Sequence, residues 1–417
     1  MQTLQIHNIV KDVMSRTKGQ NFPTFKDRVS SLGDSTYDKI FANVQTTEKG
    51  SLVLFRYGRY SDVFSGETED FGSDWAQFWD AFNGVYRELR SITIDTDTLE
   101  IVTYPFNKFF NINELDETSQ SEVERRIKEA KSIEFSDKLD GSMVVGRYWK
   151  GNFILTGSKS LDPEQSWRLK DSYNMLYASE GIQKMLRQNQ DYTFIFESLT
   201  KADAHVVKYE EKDYGLHLIG VRDMRDYQML SYREVLAMAQ AYGVQTTKIF
   251  DKALDEILNS LDEKKSNEAE GFVANIDGWF LKIKFTDYAM MHGLISKISS
   301  INLLIRAIAD NQLDDVISKI PQAYHSRIDA VVRVVMKYAA ETEKQVMDFY
   351  NENKDLSVKD YAIKANTTLP KNIAGYAIAQ FKNKPWNVLK RGNCGYKKLN
   401  EMGVDASNYI DIFNEES

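Results

Sequence analysis

The sequence predicts an α+β fold, with a body of largely antiparallel sheets over residues 1–287 and an all-helical domain over residues 288–417. Two observations carry this. Short β-like runs and helical patterns mix through the first part without the strict alternation that a doubly wound parallel sheet requires. Beyond it, apolar residues recur at helical spacing and no strand pattern appears.

Taken in order, residues 3–17 read as a short amphipathic helix, and a polar stretch follows to about Asp38. Residues 51–57 (SLVLFRY) read as a strand, and the aromatic-rich 74–86 as a helix. Residues 92–94 and 99–104 read as strands joined by the polar turn Asp95-Thr96-Asp97. A charged helix is expected over 122–131. Strands are expected at 143–148, 153–156, 192–197, 216–221, 271–275 and 279–285, with helices at 165–180 and 232–242. In the tail, helices are expected over 288–310, 326–352, 357–366 and 371–381. The second is marked by Ile328, Val331, Val332, Val335, Met336 and Ala339 at helical intervals.

Bulk properties narrow the function. At 417 residues the chain has room for two or three domains. Its formal net charge is −8, so a polyanion must be held by local basic clusters rather than by the overall field. One cysteine, Cys394, excludes an internal disulfide and fits a reducing compartment. Five scattered histidines argue against a His/Cys zinc site. The first residues lack the apolar core of a signal peptide, and no run is apolar for long enough to span a bilayer. The expectation is a soluble, intracellular protein.

The sharpest local signal is Lys138-Leu139-Asp140-Gly141-Ser142, just before the strand expected at 143–148. K-x-D-G alone is weak. It arises by chance in roughly one chain in ten of this length, and Asp-Gly is common in plain surface turns. Order and context strengthen it. Glu197 closes an apolar strand, Glu270 stands immediately before another, and Lys282 and Lys284 alternate on one face of a third. Together they form a turn lysine, two strand-end acids and a lysine pair.

That set suits one chemistry. A lysine amine attacks phosphorus only when neutral, yet ordinarily titrates near 10.4. Burial and neighbouring cations lower that value, and the same cations stabilise charge developing on phosphoryl oxygens. Carboxylates can hold a divalent metal and ribose hydroxyls.

In these residues the sequence resembles the covalent nucleotidyltransferases, and more closely the RNA ligase 1 family of T-even phages. The nucleophilic lysine of that family's first motif matches Lys138. The glutamate of the third matches Glu197, and residues 216–223 (LHLIGVRD) resemble the strand that flanks adenine. The metal-binding glutamate of the fourth motif matches Glu270, and the lysine pair of the fifth matches Lys282 and Lys284. Upstream, Arg90 precedes Pro105-Phe106-Asn107-Lys108-Phe109-Phe110-Asn111, in the order of the family's arginine and P-x-x-K-F-F-N segment. Gly157-Ser158-Lys159-Ser160 resembles its Ser-Lys segment. The resemblance covers about residues 50–290. One departure is visible: the family has Ala-Arg-Gly where this chain has Leu89-Arg90-Ser91.

The resemblance implies an ATP-grasp-like nucleotidyltransferase body with antiparallel sheets and a helical domain that binds RNA ends. It implies ATP, with AMP carried covalently on Lys138, and Mg²⁺ or Mn²⁺ held by Glu270 and Glu197. Arg90, Lys159, Glu197, Asp140, Gly141, Lys282 and Lys284 would bind the nucleotide, with Lys282 and Lys284 also assisting catalysis. The implied activity joins 5′-phosphate and 3′-hydroxyl ends of single-stranded or nicked-loop RNA, as in tRNA repair. A monomer is expected in the cytoplasm, the host's if the chain is phage-encoded, with no membrane partner. No G-x-x-x-x-G-K-[ST] occurs, so an end-healing kinase/phosphatase is expected as a separate protein. DNA ligases and capping enzymes of the superfamily carry an OB domain after the fifth motif, where this chain reads helical. A DNA ligase or another covalent nucleotidyltransferase stays open, as does a non-catalytic RNA-binding protein. Residues 371–398 hold seven basic side chains, no acids and four interleaved aromatics. They suit single-stranded RNA, or equally a solvated helical face with its aromatics in the core. His217 reads as an ordinary strand side chain.

Overall fold

The computed structural model describes residues 4–58, 72–203, 206–290, 304–305, 308, 313 and 322–389. The chain divides into two compact units, Met1–Ala289 and Met290–Glu416.

The first unit opens with α1 (Gln5–Arg16), which buries Ile6, Val10 and Val13. The Glu88 carboxylate accepts the Gln5 and Ile6 N–H groups at 2.9 and 3.0 Å, an acid at the helix end that favours one. The stretch expected to be merely polar instead holds α2 (Phe25–Ser30) and α3 (Ser35–Ala42). Thr24 and Asp34 cap them, and Phe25, Val29, Ile40 and Phe41 are buried. Four strands form an antiparallel sheet in the order β1 (Val44–Lys49), β2 (Leu52–Tyr57), β3 (Arg90–Asp95), β4 (Glu100–Thr103). The polar β1 was not expected. α4 (Gly72–Glu88) is broken at Ala81–Gly84, where Phe82, Asn83 and Gly84 take positive φ. Trp79, Tyr86 and Leu89 join β2 and β3 in the core below.

After α5 (Gln120–Glu129) comes β5 (Ile133–Lys138). β6 (Ser142–Trp149), β7 (Asn152–Gly157), β8 (Tyr192–Leu199) and β9 (Gly215–Asp223) form a sheet in the order β7-β6-β8-β9. The single helix expected at 165–180 is two, α6 (Trp167–Ala178) and α7 (Glu180–Gln188), because Ser179 leaves helical geometry and caps the second. With α8 (Tyr232–Tyr242), both pack on this sheet through Leu169, Leu176, Met185, Leu186 and Val235. β10 (Ile249–Phe250), β11 (Gly271–Ile276) and β12 (Trp279–Lys284) join β5 in a sheet ordered β10-β5-β11-β12, with α9 (Leu254–Asn259) at its side. All strand pairs within the three sheets are antiparallel, as the sequence predicts.

The second unit is helical in its described residues: α10 (Gln322–Asn353), α11 (Val358–Thr368) and α12 (Lys371–Phe381). Val335, Ala339, Val346, Phe349, Tyr361, Ala365, Ala374 and Ala377 pack together. Of the stripe read from sequence, Val335 and Ala339 are buried but Met336 is 50% exposed, since one residue turns the helix about 100°. The Ile328 and Val331 side chains, most of 288–310, and residues 390–398 lie outside the described residues. Among described residues no helix is long and apolar enough to cross a membrane.

Candidate active site

Three strands set the central lysines. β5 ends on Lys138, β11 starts on Gly271 and β12 ends on Lys284, with Gly271 paired to both lysines. Directly paired residues share a sheet face, so the two lysine side chains rise together on either side of the glycine. Lys138 thus ends a strand, correcting its reading as a turn residue; the turn is Leu139 to Gly141. Glu270 meets Lys138 Nζ at 2.7 Å and Lys284 Nζ at 3.1 Å, one through each carboxylate oxygen. Burial pushes the Glu270 carboxyl up, but the two ammonium groups outweigh it and hold it below its ordinary value. Gly271 has φ +152°, and a Cβ there would lie 2.2 Å from the Ile283 carbonyl oxygen. This close approach admits only glycine.

Lys282 lies one alternation back on the face that carries Lys284. Its N–H donates to Phe110 O and its carbonyl accepts from Ile112 N, both at 2.9 Å, so the 107–111 segment lies along β12. Lys282 Nζ sits 4.9 Å from the Phe109 ring centre. Burial, then the cations of Lys108, Arg90, Lys138 and Lys284, push its ammonium well below the ordinary lysine value. Lys108 Nζ lies 5.2 to 5.7 Å from the Tyr57, Trp79 and Phe110 rings.

The turn after Lys138 is held by protein groups. Asp140 N–H donates to Tyr209 Oη at 2.7 Å, and Asp140 Oδ2 accepts the N–H groups of Val206 and Val207 at 2.8 and 2.9 Å. Its Oδ1 accepts from the Tyr288 hydroxyl at 3.0 Å. Gly141 N–H donates to Glu197 Oε1 at 3.0 Å, and a Cβ on Gly141 would fall 2.5 Å from Leu199. Ser142 Oγ donates to Asp203, which Arg168 grips through two N–H groups at 2.7 and 3.0 Å. Burial pushes the Glu197 carboxyl up to about 7; Lys138 opposes this, while Glu270 and Asp140 add to it.

A pocket opens beside Lys138, Glu197 and Lys282. Phe106, Phe109, Met143, Ile219 and Val273 supply apolar walls, while Arg90, Lys138, Glu197 and Lys282 supply polar ones. The Arg90 guanidinium carbon lies 4.9 Å from the Phe109 ring centre, and Nη1 is buried without a hydrogen-bond partner among the described residues. The strap that carries Phe106 and Phe109 is fixed by Arg222. That side chain donates to the Tyr104 and Pro105 carbonyls at 2.8 to 3.2 Å and to Tyr227 O, and lies 3.9 Å from the Tyr104 ring centre.

The structure therefore brings together Lys138, Asp140, Gly141, Glu197, Glu270, Lys282, Lys284 and Arg90. Lys159 stands apart from the pocket lining, in the turn after β7, where its carbonyl accepts from Thr47 Oγ1 at 2.9 Å. His217 spends Nε2 on the Asp213 carbonyl at 2.7 Å, a strand-lining role. Tyr288, Tyr209, Asp203 and Arg168 escaped sequence reading, and Arg222, though inside the recognised 216–223 segment, was given no role of its own. Each reaches the site from a distant part of the chain; of the first four only Tyr288, four residues past Lys284, stood near a recognised motif. Among described residues no group of three or more His, Cys, Asp or Glu side chains forms a metal cage. Mg²⁺ and Mn²⁺ ask for less, as they can bind through one or two carboxylates and complete their shell with phosphates and water; here both Glu270 oxygens meet ammonium groups and Glu197 Oε1 accepts the Gly141 N–H.

Residues 88–288 match the model of a family described as RNA ligase. A Thermovibrio ammonificans protein with an RNA ligase assignment is 26% identical over 245 residues, covering 56% of this chain. The chain spans 61% of that relative's length. Among solved structures, a Naegleria gruberi RNA ligase variant with ATP and Mn is similar at TM-score 0.33 and 19% identity, over 40% of this chain and 54% of that one. The same ligase with PPi is similar at TM-score 0.35 and 16% identity, over 45% and 57%.

Proposed function

We propose that this chain, whose residues 88–288 match the model of a family described as RNA ligase, joins 5′-phosphate and 3′-hydroxyl RNA ends at the expense of ATP through a lysyl-AMP on Lys138. The observation that carries the reading is the Lys138–Glu270–Lys284 set, with contacts of 2.7 and 3.1 Å, whose Lys138 lines an apolar-walled pocket together with Arg90, Glu197 and Lys282.

The chemistry follows from the groups present. Glu270 fixes the direction of the Lys138 side chain, which attacks once its Nζ has lost a proton. A P–N bond forms to the α-phosphorus, and the bond to the bridging oxygen breaks as pyrophosphate leaves. Lys284 and Arg90 supply positive charge where the phosphoryl oxygens gain negative charge, as does Lys282 once phosphate charge offsets the burial and neighbouring cations that disfavour its ammonium. Phe106, Phe109, Met143 and Ile219 give the base an apolar slot. A 5′-phosphate oxygen of RNA then attacks the same phosphorus, the P–N bond breaks and the amine regains its proton. Finally a 3′-hydroxyl attacks the RNA 5′-phosphorus and AMP departs. Mg²⁺ or Mn²⁺ bound by Glu197 and Glu270 would neutralise phosphate charge.

On this reading the helical unit contributes RNA-end binding, with Lys371, Lys382, Lys384 and Trp386 as its described basic and aromatic groups. The setting is RNA repair in the cytoplasm, with broken tRNA as substrate, a separate end-healing enzyme as partner and a monomeric ligase. Incubation with α-labelled ATP and Mg²⁺, then denaturation, should leave acid-labile label on wild type and none on Lys138→Ala. An unadenylated, folded wild type that takes no label removes the reading. A labelled enzyme that seals nicked DNA but not RNA shifts it to a DNA ligase.

A further inference from the structure

The two most exposed aromatic side chains among the described residues stand on one helix. Trp167 is 44% and Tyr177 59% exposed, at opposite ends of α6. Trp167, Lys170, Tyr173 and Tyr177 recur at steps of three, three and four, so they share one face, while Leu169, Ser172 and Leu176 are buried on the other. A single exposed aromatic is ordinary; this arrangement is more than that.

The Tyr177 ring is ordered before any ligand arrives. It stacks on Tyr173 at 6.1 Å and 24°, and meets the Phe153 edge at 6.1 Å. The Tyr173 hydroxyl is itself tied to Leu155 N at 2.9 Å. A ring held this way loses little freedom when something stacks on it. Cations flank it. The Arg187 guanidinium lies 4.8 Å from the Phe153 ring centre, and neither Arg187 nor Lys184 has a carboxylate partner among the described residues. Among the described residues Lys170 pairs with the exposed Glu164. α6 and α7 carry four basic and two acidic side chains, on a chain whose formal net charge is −8.

The other end of the helix is wired to the catalytic turn. Arg168 covers one face of the Trp167 ring at 4.5 Å and grips Asp203, which accepts from Ser142 beside Gly141. From that turn outward, the surface offers a ring, a lysine, a second ring and two further cations.

We propose that this face of α6 is a stacking track for single-stranded RNA leading away from the reacting end, with bases on Trp167 and Tyr177 and phosphates near Lys170, Lys184 and Arg187. The inference rests on the RNA-joining reading and names the surface that would hold its substrate. Rings alternating with cations suit a strand whose bases all present a π face and whose phosphates all carry charge. A protein partner would ask for aliphatic surface between the rings, and Lys170 occupies that position.

The test uses the full chain and a labelled, 5′-phosphorylated, 3′-blocked oligoribonucleotide of about 12 nucleotides, within the length that single-strand sites cover. Fluorescence anisotropy should show Kd rising roughly tenfold for Trp167→Ala and for Tyr177→Ala, the loss of one stacked base each. Tyr177→Phe should bind within about twofold of wild type, because stacking needs the ring and not the hydroxyl. Label transfer from ATP to the protein should be the same in all four proteins, which also shows that they are folded. Wild-type Kd values in both alanine variants would overturn the proposal. So would a wild-type dimer that dissociates on Tyr177→Ala with RNA affinity unchanged, which would make the face a contact between copies. A wild type that takes label from ATP while the rings prove irrelevant leaves the ligase reading standing. A wild type that takes no label removes that reading instead.

Discussion

Lys138 and Lys284 end on the same carboxylate: Glu270 receives one ammonium on each oxygen, at 2.7 and 3.1 Å, from strands on opposite sides of Gly271. Neither lysine is placed by its own rotamer alone. The acid between them keeps Lys138 in position and offsets the charge of Lys284. Glu270→Gln should therefore slow label transfer from ATP by roughly a hundredfold or more, comparable to loss of a preorganised electrostatic partner. Nucleotide binding should survive, because the apolar walls and Arg90 are untouched. Single-turnover label transfer set against equilibrium ATP binding separates the two, and an unchanged transfer rate would make Glu270 a structural acid only.

Gly271 makes that geometry possible. Gly271→Ala would bring Cβ within 2.2 Å of a backbone oxygen in β12. A backbone atom cannot swing away as a side chain can. The expected loss is about 3 kcal/mol or more in a urea melt. Gly243, the left-handed residue that ends α8, has φ +66° and open space around it, so Gly243→Ala should lose only about 1 kcal/mol. Equal losses at the two glycines would show that β12 can shift, and that the lysine spacing is not fixed by this contact.

These two sites show where the sequence could be read and where it could not. Lys138, Glu197, Glu270, Lys282 and Lys284 were visible because each sits on a strand or at its edge within a short ordered motif, and period-2 alternation sets Lys282 and Lys284 on one face. The clips on the catalytic turn were not visible. Tyr209, Asp203 and Tyr288 reach Asp140 and Ser142 from 61 to 148 residues away in sequence. No local pattern encodes such a distance. The same holds in the fold: β1 (VQTTEK) lacks the apolar alternation of β2, and its strand character comes from pairing, from Val44 opposite Tyr57 to Lys49 opposite Leu52. α2 and α3 were hidden because six- and eight-residue helices show too few turns for a period. Their caps, Thr24 and Asp34, were the signal that could have found them.

Ser91 explains the departure beside Arg90. It holds φ +71°, where the family has glycine and where a side chain is strained. In exchange its Oγ donates to Ser158 O at 2.7 Å, tying β3 to the turn that carries Lys159. Ser91→Gly should relieve roughly 1 kcal/mol of strain and lose about as much hydrogen bonding, leaving stability nearly unchanged. Ser91→Ala keeps the strain and loses the bond, so it should cost about 1 kcal/mol. Denaturant melts of the two variants decide it. Alanine as stable as wild type would mean that the tie to Ser158 contributes nothing.

Asp137 gives the body a pH signature. Burial pushes its carboxyl up to about 6, against the Lys248 N–H that its Oδ1 accepts at 2.7 Å. In the unfolded chain an aspartate titrates near 3.9, so between these values the folded state binds the extra proton. The contribution to stability is therefore complete below about pH 4 and is lost as pH rises through about 6. Above that, folding must hold a buried, charged carboxylate. Asp137→Asn keeps an oxygen for the Lys248 N–H and never ionises. It should gain on wild type by about 1 to 3 kcal/mol between pH 4.5 and 8, with most of the gain appearing across about pH 4 to 6 and little added above that. Urea melts across that range measure it. A difference between the two proteins that stays flat with pH would show that Asp137 titrates as it would in water, and that solvent reaches the strand end beside Lys138.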